Sequence, residues 1–336
     1  MDTPLATHVP ENAPWEEIPP FRRIDAALRR VSSLIHQSLA AHGAPQDLAS
    51  FVGQLWAGGG KMLRPGMLLL AGECFGPLTE QHVGVAAMME MIHHATLLHD
   101  DVIDDGTKRR GVPTINRLWG NECAVLLGDF VLSHVFRMAA DLEPEVARIL
   151  ARTAVRVCEG ELRQTAQKAN WQLREEQYLE IITEKSASFF SGCCRLGARL
   201  SRAPGEQVER LARFGLLAGT AFQITDDLLD IAGDESRTGK TSQSDLAQDK
   251  PTLAVIHLLH TIDPTRRAQI CALLETPGGS RQALASVLEG HGSLRYARER
   301  AADFVAQACR ELEQVPPCEA REALRETARF LADRLA

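Results

Sequence analysis

The chain has 336 residues, 44 acidic and 37 basic, for a net charge of −7, with 45% hydrophobic residues. That balance suits an ordinary globular domain with a large core and argues against nucleic-acid binding, which leaves a basic excess. No uncharged apolar run reaches the roughly 18 residues of a membrane span, the N-terminus lacks the basic start and apolar stretch of a signal peptide, and eight cysteines without CxxC spacing read as reduced thiols of a cytoplasmic protein rather than a zinc site.

In chain order, residues 1–20 (MDTPLATHVPENAPWEEIPP) are rich in proline and polar residues, which predicts a loose arm. Residues 21–336 read as a single domain. Ile24, Leu28, Val31, Ile35 and Leu39 fall three and four apart, the stripe of an amphipathic helix. Similar periods cover 47–57, 63–74, 79–104, 117–140, 143–168, 174–200, 205–233, 252–261, 264–275, 294–313 and 318–335. Alternating strand patterns are absent, and short breaks such as Gly76-Pro77, Gly111-Val112-Pro113 and Pro277-Gly278-Gly279 separate the helices. The prediction is an all-α bundle of roughly ten to thirteen helices.

Chemistry concentrates at four places. GGGKMLRPG sets Lys61 and Arg64 after a glycine run, with Pro65 able to start a helix. HDDVIDDGTKRRG packs Asp100, Asp101, Asp104 and Asp105 ahead of Lys108, Arg109 and Arg110. FQITDDLLD repeats the acid pattern with Asp226, Asp227 and Asp230. GDESRTGKTSQSDLAQDK follows with Lys240 and Lys250. Asp100 and Asp104 lie one helical turn apart, as do Asp226 and Asp230, so each pair shares a helix face. Adjacent carboxylates repel unless cations sit among them. Two acidic turns on otherwise apolar helices therefore point to a shared cluster of hard divalent ions, which prefer carboxylate oxygens and phosphates. The neighbouring Arg and Lys residues suit a diphosphate clamp. A phosphate-binding P-loop is excluded, because Gly239-Lys240-Thr241 lacks the upstream glycine and strand.

With these motifs, together with MIHHATLLHDDVIDDGTKRRG, EGELRQ, TEKSASFF and GSLRYARERA, the chain from about residue 24 to 335 resembles the trans-isoprenyl diphosphate synthases, the polyprenyl synthetase family. The resemblance implies a helical bundle around a central cavity and a prenyl transfer that joins an allylic diphosphate to isopentenyl diphosphate. By motif, Asp100 and Asp104 would bind two Mg²⁺ ions and Asp226 with Asp230 a third. Arg109, Lys185, Gln223, Lys240 and Lys250 would hold the allylic diphosphate, and Lys61, Arg64, His93 and Arg110 isopentenyl diphosphate. Asp101, Asp105 and Asp227 fit outer roles. The family pattern also implies a homodimer and transient membrane contact for product release. Met62, Ser186, Thr241 and Gln243 depart from residues frequent in the family.

The growing hydrocarbon is expected to run down the helix below Asp100. Ala95 and Thr96 stand one turn below it, where short-chain members carry bulky aromatics, then Met91, Met88 and Gly84 follow. From Ala95 to Gly84 is about 16 Å at 1.5 Å per residue, room for several isoprene units. A product of C30 or longer is the expectation, with a C20 or shorter product as the alternative. Three other classes fit the residues less well. A di-iron carboxylate protein would need a second Glu-x-x-His besides Glu90–His93, a non-catalytic subunit should have lost motif residues, and a terpene cyclase would not need Lys61, Arg64 and Arg110.

Overall fold

Side chains three and four apart stack on one helix face, so burying each apolar stripe draws helices together. In the computed structural model, which describes residues 15–40, 46–57, 60–109, 111–232, 249–275 and 281–332, nearly every element is a helix. They are α1 (Asp25–Leu39), α2 (Gln46–Ala57), α3 (Leu63–Glu73), α4 (Glu80–Ile103), α5 (Ile115–Ala139), α6 (Pro144–Ala166) and α7 (Glu175–Ile182). Then come α8 (Ser188–Leu200), α9 (Gly205–Ala232), α10 (Leu253–Thr261), α11 (Pro264–Leu274), α12 (Arg281–Gly290), α13 (Ser293–Glu313) and α14 (Glu319–Ala332). In α1 the stripe Leu28, Val31, Ile35 and Leu39 is buried as predicted.

Helix α9 packs on α8 and α13, α8 on α3, and α4 on α5, with α1 and α3 also against α4. The long helices α4 and α9 thus run through the interior. One apolar core joins α1, α3, α4, α5, α6 and α8; a second gathers Tyr178, Ile182, Ile224 and Leu228 with residues of α10, α12 and α13, and Phe304 packs against both.

Three features differ from the sequence expectation. The described end of the arm is not loose: Trp15–Glu17 and Pro19–Ile24 form 3-10 turns, Ile18 and Pro20 are buried, and Phe21, just beyond the arm, packs its ring on Gly66 of α3. The basic run after the first acid motif forms a two-residue antiparallel hairpin, β1 (Lys108–Arg109) with β2 (Val112–Pro113), whose turn contains Gly111 at φ 81°. Helix α12 adds to the predicted periods, which pass from 275 to 294 because its short apolar pattern follows a Pro-Gly-Gly break. Elsewhere Gly120 (φ 87°) interrupts α5 with a kink.

Candidate active site

The first acid turn closes α4. Asp101 is buried and accepts a two-pronged grip from Arg109, at 3.1 Å from Nε and 2.7 Å from Nη2. Asn116 donates to the Asp101 and Gly106 carbonyls at 3.1 Å, and the Thr114 hydroxyl donates to the Gly106 carbonyl at 2.7 Å, so the hairpin holds Arg109 over the acid turn. Asp104 takes Lys250 Nζ at 2.8 Å and Lys168 Nζ at 3.7 Å. Lys250 is itself buried and comes from the segment before α10, 146 residues away in sequence. Asp105, at φ 49°, is exposed.

Arg109 lies within electrostatic reach of both acid turns. Burial pulls its guanidinium down, but the Asp101 carboxylate and then the charges of Asp100 and Asp226 hold it net above its ordinary value. Lys185 behaves likewise: burial opposes its charge, while Asp100, Glu161 and Asp104 more than offset that. The Lys185 ammonium lies 2.6 Å from Glu161 Oε2 and donates to Gln164 Oε1 at 2.7 Å. Asp100, Asp104 and Asp226 therefore share one electrostatic neighbourhood with Arg109, Lys185 and Lys250.

Asp227 is committed elsewhere. Tyr178 Oη donates to its Oδ2 at 2.6 Å and Gln223 Nε2 to its Oδ1 at 2.7 Å, while Ser186 Oγ donates to Gln223 Oε1 at 2.6 Å. Lys185 and Ser186 sit on a π-turn, Thr183–Ala187, between α7 and α8. Such a bulge re-aims side chains within a continuous helix and is frequent at functional sites. Glycines let it nestle between two helices: a Cβ at Gly160 of α6 would stand 2.2 Å from the Lys185 nitrogen, and one at Gly219 of α9 would stand 2.8 Å from the Ala187 Cα.

Across the site, Arg64 Nη1 lies 2.9 Å from His93 Nε2, one α3 residue against one α4 residue. The Arg64 guanidinium is 5.3 Å from the Phe189 ring centre and 4.9 Å from that of Phe190, which fixes its plane. Lys61 Nζ lies 5.8 Å from the Phe330 ring centre of α14.

A family model for polyprenyl synthetases matches residues 45–290. The chain is 37% identical over 307 residues to the nonaprenyl diphosphate synthase of Mycobacterium tuberculosis, covering 90% of each chain. The chain belongs to the polyprenyl synthetase family. Among solved structures, a decaprenyl diphosphate synthase from Rhodobacter capsulatus superposes with a TM-score of 0.88 at 32% identity, over 95% of this chain and 99% of that one. A polyprenyl synthase from Caulobacter crescentus complexed with calcium and isoprenyl diphosphate superposes with a TM-score of 0.89 at 31% identity, over 94% and 97%. This synthetase is a prenyltransferase of isoprenoid biosynthesis with the all-α isoprenoid synthase fold.

Of the synthetase residues predicted from sequence, the structure brings together Asp100, Asp104, Asp226, Arg109, Lys185 and Lys250, and separately Arg64 and His93. Arg110 and Lys240 lie outside the described residues. Asp230 is buried on α9. Ala95 and Met91 are fully buried, Met88 nearly so, and Thr96 is half-buried with its hydroxyl donating to the His93 carbonyl at 2.8 Å. Beside Gly84 there is open space where a Cβ would stand. Lys168 carries no motif, Glu161 and Gln164 stand in EGELRQ without a role of their own there, and Tyr178, one of only two tyrosines in the chain, has no motif either. Its signal was the cost of burying a hydroxyl among the apolar residues of α7, which calls for a partner.

The acid turns offer only carboxylate oxygens, the donors that Mg²⁺ favours. Among the described residues no three His, Cys, Asp or Glu side chains already converge as a metal group. An ion here would complete its shell with water or phosphate oxygens, as Mg²⁺ does when it takes one or two carboxylates. Asp100 shows why a cation is welcome. Burial, with help from Glu161 and Asp104 and against Lys185 and Arg109, pushes its carboxyl up to about 6. A raised value means that protonation stabilises the fold at low pH, and this contribution is lost as pH rises through about 6. A divalent ion must compete with that proton. Stabilisation by Mg²⁺ with inorganic pyrophosphate, read as a rise in melting temperature, should therefore be larger at about pH 7.5 than at about pH 5.

Proposed function

We propose that the protein is an all-trans polyprenyl diphosphate synthase. It extends an allylic diphosphate head-to-tail with isopentenyl diphosphate to a product of C30 or longer, releasing diphosphate. The observation that carries this reading is Arg109, paired with Asp101 and within the field of Asp100 and Asp226, with Lys250 on Asp104 and Lys185 in the field of Asp100. Asp100 and Asp104, with Asp226 and Asp230 opposite, would hold Mg²⁺, in all three ions. Bound there, Mg²⁺ supplies positive charge that stabilises the leaving diphosphate as the allylic C–O bond ionises.

The protein's side chains supply the rest. Arg109 and Lys185 face the same leaving group, and Lys250 draws Asp104 inward. Gln223, tied to Asp227, lines the allylic side, with Lys240 and Arg110 completing the two clamps. Lys61, Arg64 and His93 orient isopentenyl diphosphate so that its double bond attacks the allylic carbon, and the proton then lost passes to the departed diphosphate. The aromatic and aliphatic walls, Phe189 and Phe190 among them, exclude the water that would quench a carbocation.

Product length rests on the α4 wall of Ala95, Thr96, Met91 and Met88. The nonaprenyl and decaprenyl synthases that resemble this chain accord with the longer product. Ala95→Phe places a ring one turn below Asp100, so chromatography of its products should show a shift to shorter chains. An unchanged length would remove Ala95 from the wall.

Exposed apolar side chains on α5 and α6, Leu126 (68% exposed), Phe136 (70%) and Leu162 (71%), favour a homodimer built on these helices. No described helix is long and apolar enough to cross a membrane. The catalytic unit is one domain and its site cytoplasmic in this reading. The direct test incubates purified protein with labelled isopentenyl diphosphate, primers of several lengths and Mg²⁺. Label in polyprenyl products of C30 or more supports the proposal, a C20 end product corrects its length, and no incorporation with any primer defeats it.

A further inference from the structure

Asp227 belongs by motif to the second acid turn, yet both its oxygens accept hydrogen bonds from protein donors, Tyr178 at 2.6 Å and Gln223 at 2.7 Å. Three elements meet in this chain of bonds. Tyr178 comes from α7, Asp227 and Gln223 from α9, and Ser186, which donates to Gln223 at 2.6 Å, from the π-turn that also carries Lys185. Tyr178 and Asp227 are buried, at 3% and 8% exposure, so the bonds form away from bulk water, where they hold geometry most firmly. Tyr178 stands seven residues before Lys185, whose ammonium is held by Glu161 and Gln164 of α6. The strut therefore fixes where the second acid turn sits relative to Lys185, and thus relative to Asp100 across the site.

We infer that Tyr178 is a positioning residue: through Asp227 and Gln223 it locks the α9 acid turn in register with the Lys185 π-turn, so that Asp226 and Lys185 reach the same diphosphate. In this role Asp227 serves as the hub of the strut and not as a metal ligand. The inference rests on the proposed prenyl transfer and deepens it. Arg64 and His93, assigned to isopentenyl diphosphate under that reading, pair with each other from α3 and α4 and are not part of the strut.

The test compares Tyr178→Phe, Asp227→Asn and Asp226→Asn with the parent in two measurements. The first is Mn²⁺ binding in the presence of inorganic pyrophosphate, followed by electron paramagnetic resonance. The second is steady-state prenyl transfer. Loss of the phenol should weaken Mn²⁺–pyrophosphate binding by about ten-fold and lower kcat by a similar factor, in keeping with outer groups that orient ligands. The KM for isopentenyl diphosphate should stay unchanged and the melting temperature should move little, because the phenyl ring still fills its place. Asp227→Asn keeps an acceptor for Gln223 and a partner for the Tyr178 hydroxyl, so it should lose far less Mn²⁺ affinity than Asp226→Asn. Unchanged Mn²⁺ affinity and kcat in Tyr178→Phe would overturn the inference, as would a fall in melting temperature without loss of affinity. Asp227→Asn as damaging as Asp226→Asn would also overturn it. A parent protein that binds Mn²⁺–pyrophosphate but transfers no prenyl group fails the function reading instead, and the binding series still decides the strut.

Discussion

Asp100→Asn and Asp226→Asn should each lower the rate of prenyl transfer by roughly 10²- to 10³-fold, the scale of losing one preorganised electrostatic contact to a transition state. Neither should unfold the protein. The Asp100 carboxyl is pushed up to about 6 mainly by burial, so its charge opposes folding at neutral pH and a neutral amide relieves that cost. The melting temperature should hold or rise. Asp101 makes the contrast. It is the partner of Arg109 in a two-pronged pair, and Asp101→Asn leaves a guanidinium short of its counter-charge, so this variant should lose stability as well as rate. Circular dichroism melts beside initial rates separate the two outcomes. A large loss of stability in Asp100→Asn would mean that the charge serves the fold.

Gly160→Val should both destabilise the protein and silence it. Replacing a helical glycine ordinarily gains up to about 1 kcal/mol of helix propensity when the newcomer is alanine. Here a Cβ would stand 2.2 Å from the Lys185 nitrogen and 2.7 Å from the Glu184 carbonyl carbon, both backbone atoms that cannot swing aside. Overpacking of this kind costs typically 1–3 kcal/mol, so even Gly160→Ala should come out net destabilising. The shift also carries Lys185 away from Glu161, Gln164 and Asp100, so kcat should fall more than the stability loss explains. Urea melts with assays well below the melting temperature check both parts. Gly160→Ala with parental stability and rate would show that α6 moves aside freely.

What the sequence made legible, and what it hid, follows from the range of the interactions involved. The acid turns were readable because carboxylates one turn apart on apolar helices are locally costly, and that cost is visible in the letters alone. The stripe of α1 and the long periods of α4, α6 and α9 were readable because burial repeats every three to four residues. The π-turn was not, since one extra residue in a helix leaves the apolar pattern on either side intact. Lys168 and Lys250 approach Asp104 from distant segments, and only Lys250 carried a motif to betray it. Tyr178 lay hidden among the apolar residues of α7, its hydroxyl bond to α9 being long-range. The described end of the arm, residues 15–20, is polar and proline-rich, yet Ile18 and Pro20 are buried and Trp15 packs against the core.

The proposed reaction needs both acid turns to grip one diphosphate together. A crystal structure with Mg²⁺ and a non-ionisable allylic thiolodiphosphate tests this directly. The expected result is metal density bridging the diphosphate to Asp100 and Asp104 at the end of α4 and to Asp226 on α9, with Arg109 and Lys185 on the same phosphate oxygens. A diphosphate bound away from these helices, or bound by one acid turn while the other faces solvent, would contradict it.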